Sequence, residues 1–386
     1  MYYFRADGNA VTGAGHLMRC LTIADELNKL PESAGQITFL CADASSGKLA
    51  ADRGYKTIVL QTDYRNMEEE LPKLPKLLGE GAAAILVDSY HVTESYLKQL
   101  REYGRVLLLD DMGQKAWPVD GVINYNAFAR DEWYEQLYRE PMESSEPMES
   151  SEPMESPEIM ESPETMESPE TMESGRPGSR RPDRYIGSAY VPIRPQFLNV
   201  PYTVRDQVKE VLITTGGGDS ENIAAEILRA IANPKWNYHI VVGRFNKHFE
   251  KWKQWEQNFP QIHVHHDVQD MASLMKQCDL AVTAGGTTIY ELAAIGVPFL
   301  CFSYAENQEA LTEYIGREQI AGYCGAYHHD RQQTLAAMKE LAQKVSDSHE
   351  LRLQMYEAEK KMIDGHGAER IARVLTERKS LHEDTH

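Results

Sequence analysis

Short apolar runs alternating with helical patterns, and doing so in two halves of the chain, constrain this sequence more than any other feature. In the first half the opening Tyr2 to Phe4 and residues 37–42, 57–60, 84–88, 106–110 and 122–124 read as buried strands. In the second, residues 211–215, 239–242, 262–265, 280–283 and 299–302 do the same, with helices between them and more toward Arg378. Such alternation predicts parallel sheets wrapped by helices, with ligands beyond the carboxyl ends of the strands. The expected fold class is therefore α/β, two Rossmann-type doubly wound parallel-sheet domains facing an interdomain cleft. The boundaries read from the sequence are 1–140 for the first domain, 141–184 for a low-complexity linker, 185–378 for the second domain and 379–386 for a tail.

The linker is a hexapeptide repeat, in which Met142, Met148, Met154, Met160, Met166 and Met172 each begin Met-Glu-Ser. Recurrent prolines, mutually repelling glutamates and no aliphatic stripe to bury predict a disordered, solvated insertion. It also distorts the charge. Residues 141–174 hold eleven glutamates and no lysine or arginine, so of the formal net charge of −19 the rest of the chain carries only −8. That surface argues against nucleic acid or an anionic membrane as partner. The start of the chain lacks a signal-peptide layout, and no apolar run approaches the ~20 residues that span a bilayer. A cytoplasmic protein without membrane insertion is expected; the oligomeric state is not readable. The five cysteines, at 20, 41, 278, 301 and 324, contain no Cys-x-x-Cys pair and read as reduced core residues.

Chemistry is expected first at Gly13-Ala14-Gly15-His16-Leu17-Met18-Arg19, which joins the opening strand to an amphipathic helix running to about Asn28. Glycines let a ligand approach the backbone, and the N–H groups of a helix start favour a diphosphate. An imidazole there can take a proton from water or a hydroxyl; the plainer reading is a surface histidine at a helix start. Two strands end on polar groups, Asp88-Ser89-Tyr90-His91 and Asp110-Asp111, where a crevice should open. For Asp110 and Asp111 a capping role is an equal alternative. In the second half, Thr214-Thr215-Gly216-Gly217-Gly218-Asp219-Ser220 is a second phosphate-cradle candidate, though not a Walker loop. No Gly-x-Gly-x-x-Gly is present, so no nicotinamide cofactor is expected. Ala284-Gly285-Gly286-Thr287-Thr288-Ile289-Tyr290-Glu291 opens another helix, with Glu291 one turn beyond Thr287 and able to accept two ribose hydroxyls. Asn307 and Gln308 could bring amides to the same cleft. The pairs His265-His266 and His328-His329 lack cysteine or carboxylate partners at ligand spacing, so no metal is expected. His366, between two glycines, should sit at a helix start.

Together these motifs resemble a family: two-domain nucleotide-sugar enzymes of the GT-B fold, and within them the UDP-sugar hydrolases of the pseudaminic acid pathway, grouped with spore coat polysaccharide biosynthesis proteins. The resemblance rests on Arg5-Ala6-Asp7 leading to Gly-x-Gly-His-x-x-Arg (13–19), Val87-Asp88-Ser89-Tyr90, Leu109-Asp110-Asp111, Tyr-x-x-x-Arg-Pro-x-Phe (190–197), Gly216-Gly217, the block 284–291, Asn307-Gln308, and Asp364-Gly365-x-Gly367-Ala368. It implies metal-independent hydrolysis of a UDP-linked 2,4-diacetamido-2,4,6-trideoxyhexose to UDP and free sugar, with His16 as the catalytic base and Tyr90 beside the sugar. Substrate would be held by Gly13, Gly15, Arg19, Asp88, Gly217, Gly285, Gly286, Thr287, Thr288, Glu291, Asn307 and Gln308. The first domain would carry the base and the second the uridine diphosphate. A glycosyltransferase using the same donor site is the alternative, and a non-catalytic scaffold built around the repeat is a third reading.

Overall fold

The computed structural model describes residues 1–8, 15–139, 181–216, 219–243 and 246–377. Gly13, Gly217, the hexapeptide repeat and the tail 379–386 lie outside the described residues. In the first half, strands β1 (Tyr2–Ala6), β2 (Ile37–Cys41), β3 (Lys56–Val59), β4 (Ala82–Asp88), β5 (Gly104–Leu109), β6 (Gly121–Asn124) and β7 (Asp183–Ile186) form one parallel sheet, in the order β3-β2-β1-β4-β5-β6-β7. Helices α1 (Gly15–Leu27), α2 (Ala44–Asp52), α3 (Leu74–Leu78), α4 (Glu94–Leu100) and α5 (Asp131–Leu137) connect them. In the second half, β8 (Glu210–Thr214), β9 (Asn237–Val242), β10 (Ile262–His266), β11 (Leu280–Ala284), β12 (Phe299–Ser303) and β13 (Gly322–Ala326) pair in parallel, in the order β10-β9-β8-β11-β12-β13. Their helices are α6 (Ile223–Ala230), α7 (Phe249–Asn258), α8 (Met271–Met275), α9 (Thr287–Ile295) and α10 (Glu309–Arg317), followed by α11 (Arg331–Asp347), α12 (His349–Met362) and α13 (Gly367–Thr376).

Both sheets are doubly wound because their strands are apolar on both faces. In β1, Phe4 packs with Leu86 and Leu107 on one side, while Tyr3 packs with Ile85, Val106 and Leu108 on the other. Each such side chain contributes about 1.5–3 kcal/mol on burial, and covering both faces with helices satisfies every strand. Arg5 breaks the apolar run yet is fully buried: it donates to Glu70 at 2.8 and 2.5 Å and to Asp7 at 2.5 Å, and the Tyr96 hydroxyl donates to Glu70 at 2.7 Å. The Arg5-Ala6-Asp7 motif thus rivets β1 to the segment carrying Glu70.

Two strands escape the sequence reading, and both lack an apolar run. β7 is Asp-Arg-Tyr-Ile, half-buried at the sheet edge, and β13 contains two glycines. Since β7 pairs with β6, the domain start expected at 185 falls inside a strand of the first sheet. The end of the chain also crosses back: α13 packs on α1 and β4, burying Ile371, Ala372, Val374 and Leu375, although its sequence position is in the second half. His366 precedes this helix, as its setting between glycines suggested, and Gly367 approaches the backbone of Val191 so closely that a Cβ would lie 2.2 Å from its oxygen. Among the described residues no helix is long and apolar enough to cross a membrane.

The repeat enters the chain between α5 and β7, and those elements touch each other: Arg184 Nε and Asp131 Oδ1 are 2.6 Å apart. The elements that flank it therefore hold each other without its help. Deleting residues 141–174 should leave the melting midpoint of the protein unchanged, and a fall of several degrees in differential scanning calorimetry would contradict this reading.

Glu359 in α12 is fully buried, and neither carboxylate oxygen has a hydrogen-bond partner among the described residues. Burial pushes its carboxyl well above the ordinary range, only partly opposed by Lys360. The folded chain thus holds a proton that the unfolded chain releases near pH 4.3, so stability is greatest below about that pH and declines as pH rises toward the folded value. Glu359→Gln should remove that decline. Its midpoint advantage over wild type in urea should grow from about pH 5 to pH 8, whereas a pH-independent difference would contradict the assignment.

Candidate functional site

In each sheet the order of the strands reverses at one place, between β1 and β4 in the first and between β8 and β11 in the second. A crevice opens there beyond the carboxyl ends of the strands. In the first sheet α1 follows β1, setting His16 and Arg19 one turn apart, and Asp88 is the last residue of β4, in register with Ala6.

These residues form one charged cluster. His16 Nδ1 lies 2.6 Å from Asp88 Oδ1. Arg19 Nε and Nη2 reach Asp88 Oδ2 and Oδ1 at 2.6 and 2.5 Å, a bidentate pair. Its Nη1 donates to both oxygens of Asp111, at 3.0 and 2.9 Å, and to the Tyr125 hydroxyl. The Tyr90 hydroxyl donates to Asp111 at 3.0 Å, and its ring stands edge-on to His16 with centroids 4.6 Å apart. Asp88 is 1% exposed, His16 15% and Tyr90 57%, so the cluster runs from the core to the surface.

Burial alone would raise the Asp88 carboxyl, but Arg19 and His16 outweigh it and hold it well below the ordinary carboxylate range. An ionised carboxylate only accepts hydrogen bonds, and an oxygen and a nitrogen 2.6 Å apart need a proton between them. Nδ1 of His16 therefore carries the proton, which makes Nε2 the basic nitrogen. Burial and Asp111 push the Tyr90 hydroxyl up, so it serves as a hydrogen-bond donor rather than a base. Among the described residues, nothing lies within 4 Å of where a Cβ on Gly15 would sit. The two acids Asp110 and Asp111 divide their roles. Asp110 accepts from the N–H groups of Met112 and Gly113 and from Tyr134, which is turn-building, and Asp111 joins the cluster.

At the second switch point Gly285 and Gly286 follow β11 and open α9. A Cβ on Gly285 would lie 2.7 Å from Thr312 and 2.9 Å from Gln308, so this glycine serves the packing of α10. Gly286 and Thr287 are exposed with Thr288 half-buried, leaving the N-terminus of α9 open. Glu291 is engaged: its Oε1 accepts from Arg194 Nε at 3.0 Å and Nη2 at 2.7 Å, and burial raises its carboxyl against the pull of that arginine. The ribose-binding role read from the sequence thus has a competitor in the Tyr-x-x-x-Arg-Pro joint. Asn307 is exposed, while the Gln308 side-chain oxygen accepts from the Tyr304 N–H at 3.0 Å and closes its own turn. A cavity of about 390 Å³ beyond β8, β12 and β13 is lined by Thr215, Asp219, Ser220, Tyr304, His328 and Arg331, among others. Asp219 caps α6 by accepting from Ile223 and Ala224 at 2.7 and 3.0 Å.

The two switch points meet at Tyr290. Its hydroxyl accepts from the Ala127 N–H at 3.1 Å and donates to Asn126 Oδ1 at 3.3 Å, and its ring meets Tyr125 edge-on. Tyr125 in turn receives Arg19, so a continuous chain of contacts links His16's cluster to α9.

Comparison with solved structures decides the architecture: Acinetobacter baumannii MurG superposes with a TM-score of 0.60 at 14% identity, covering 97% of this chain and 98% of that one. The fold is GT-B. Within it, residues 210–375 match the glycosyltransferase family 28 C-terminal domain. Among curated proteins, spore coat polysaccharide biosynthesis protein SpsG of Bacillus subtilis is 28% identical over 50% of this chain and 57% of its own length. The Helicobacter pylori pseudaminic acid cytidylyltransferase and UDP-2,4-diacetamido-2,4,6-trideoxy-beta-L-altropyranose hydrolase is 31% identical over 32% of this chain and 22% of its own. The chain thus spans only part of the length of the curated relatives it matches. Sequence reasoning for this GT-B chain found His16, Arg19, Asp88 and Tyr90, which the structure unites. It passed over Tyr125 and Asn126, and it gave no role to Arg194 and Tyr290 although both stand in motifs it singled out. Tyr125 and Asn126 follow the end of a strand, the same signal that exposed Asp88.

Arg19→Met would strand Asp88 and Asp111 without a counter-charge, costing about 3–5 kcal/mol near neutral pH. Because Asp88 is held low in the fold, that stabilisation is present above the unfolded carboxyl value of about 3.9 and is lost as pH falls toward the folded one. The gap in unfolding free energy between wild type and variant should narrow on acidification. A gap constant from about pH 7 down to pH 3 would rule out the pairing as its source.

Proposed function

We propose that this chain is an enzyme acting on a nucleotide sugar held between the two switch points, and that it hydrolyses a UDP-linked 2,4-diacetamido-2,4,6-trideoxyhexose to UDP and the free sugar. The observation that carries the reading is the His16–Asp88 pair: a protonated Nδ1 on a buried, ionised carboxylate 2.6 Å away, which makes Nε2 a base. In the step, Nε2 takes a proton from water as the water oxygen bonds to the anomeric carbon. The bond from that carbon to the diphosphate oxygen breaks, and its electron pair leaves with UDP. Tyr90, exposed beside His16, would line the sugar pocket, and the open N–H groups of α9 would stabilise charge growing on the leaving phosphate. The sugar is suggested by the relative named for that hydrolysis, and a role in surface polysaccharide synthesis by the one named for spore coat polysaccharide.

One observation favours a second reading. The match of residues 210–375 is to a glycosyltransferase domain, and the same base could deprotonate an acceptor hydroxyl instead of water.

The purified protein, incubated with UDP-sugars and no acceptor, should release free sugar and UDP. Turnover only when an acceptor is added would reject hydrolysis in favour of transfer. His16→Ala should lower kcat by about 10²–10⁴, the range that a positioned general base contributes. Asp88→Asn, whose amide can donate to Nδ1 and reverse the tautomer, should lower kcat while leaving KM near wild type. An unchanged rate in His16→Ala would refute the base.

A further inference from the structure

The sequence offers His328-His329 without a carboxylate partner at ligand spacing. The fold supplies one. Glu309, the first residue of α10, turns a carboxylate oxygen toward both rings, with His328 Nε2 at 2.8 Å and His329 Nε2 at 2.9 Å from the same Oε1. Side chains of successive residues usually diverge, but here the chain closes a turn after β13: the N–H groups of His329 and Asp330 both bond to the Ala326 oxygen, at 3.1 and 3.0 Å. Asp330 then caps α11 by accepting from Gln333. The turn is thereby fixed at both ends, and it sets the two imidazoles side by side with centroids 4.2 Å apart.

The spacing suits a metal ion. With bonds of about 2.0–2.2 Å and angles between 90° and 109°, zinc holds neighbouring nitrogen and oxygen ligands about 3.0–3.4 Å apart. The three donors lie within 4.8 Å of one another, and the two distances from Glu309 to the imidazoles need open by only a few tenths of an ångström to admit it. Imidazole with one carboxylate is a donor set for zinc and its transition-metal neighbours rather than for magnesium or calcium. His328 also lines the 390 Å³ cavity, on which the remaining coordination positions would open.

We propose that Glu309, His328 and His329 bind a divalent transition-metal ion of the zinc class at the mouth of the second-domain cavity, as three protein ligands with positions left for water or a ligand group. The site stands apart from His16 and goes beyond the hydrolysis proposed above.

The test uses the full-length, tag-free protein, stripped with a chelator and titrated with zinc alone in competition with a chromophoric chelator. Wild type should take up one zinc that His328→Asn/His329→Asn does not. Glu309→Gln, which keeps a hydrogen-bond acceptor for either ring, should bind that zinc more weakly by at least the 10–100-fold that loss of a supporting residue costs. The other histidine group, in which His239 Nδ1 meets His265 Nε2 at 2.9 Å, is the control, and His239→Asn should retain the zinc. Equal stoichiometry in wild type and the double variant, wild-type affinity in Glu309→Gln, or loss of the zinc in His239→Asn would each overturn the proposal. Circular dichroism confirms that each variant is folded, and Glu309→Gln decides the matter should the double variant fail to fold.

Discussion

A single guanidinium organises the first switch point. Arg19 ties Asp88, Asp111 and Tyr125 together while almost wholly buried, and it is what keeps Asp88 ionised against a desolvation that would otherwise protonate it. Everything chemical about His16 follows from that charge. A neutral Asp88 could donate to the ring, and the tautomer would no longer be set. Burial would lower Arg19 in turn, but Asp111 and Asp88 hold it charged, so the cluster is mutually enforcing. Groups with such interdependence cost more to break than to keep, because removing one leaves the rest buried and unpaired.

The same guanidinium joins the two domains. Arg19 meets Tyr125, Tyr125 meets Tyr290, and Tyr290 holds the Asn126–Ala127 backbone and side chain from within α9. Arg194 adds a second tie by engaging Glu291 one residue further along the same helix. A helix whose N-terminus is open at the second switch point is thus positioned by residues of the first domain and of the joint, and the geometry of one half depends on the other.

Much of this was legible in the sequence because apolar runs and strand ends are local signals. Eleven strands declared themselves through apolar runs, the edge strands β3 and β10 among them, and the strand-end rule exposed Asp88, Tyr90 and Asp111. β7 and β13 did not, since Asp-Arg-Tyr-Ile and Gly-Tyr-Cys-Gly-Ala contain no apolar run. The pairing of Glu291 with Arg194, 97 residues away, was invisible in the sequence, and so, at 19 and 20 residues, was the meeting of Glu309 with His328 and His329. Gly285 looked like a ligand cradle, whereas Thr312 and Gln308 explain it by packing. Spacing along the chain reports contacts within a turn or a strand; contacts between loops are set by topology.

The return of α13 to the first domain has a mechanical meaning. The chain crosses between domains on its way out, through the segment carrying Tyr190 to Phe197, and again on its way back at Gly367, where the two crossings touch backbone to backbone at Val191. A body attached through a single segment can turn freely about it, whereas a second segment beside the first restricts that turning. The pair of crossings therefore ties the two domains at one place through two segments of chain rather than one, beside the ties that Tyr290 and Arg194 make.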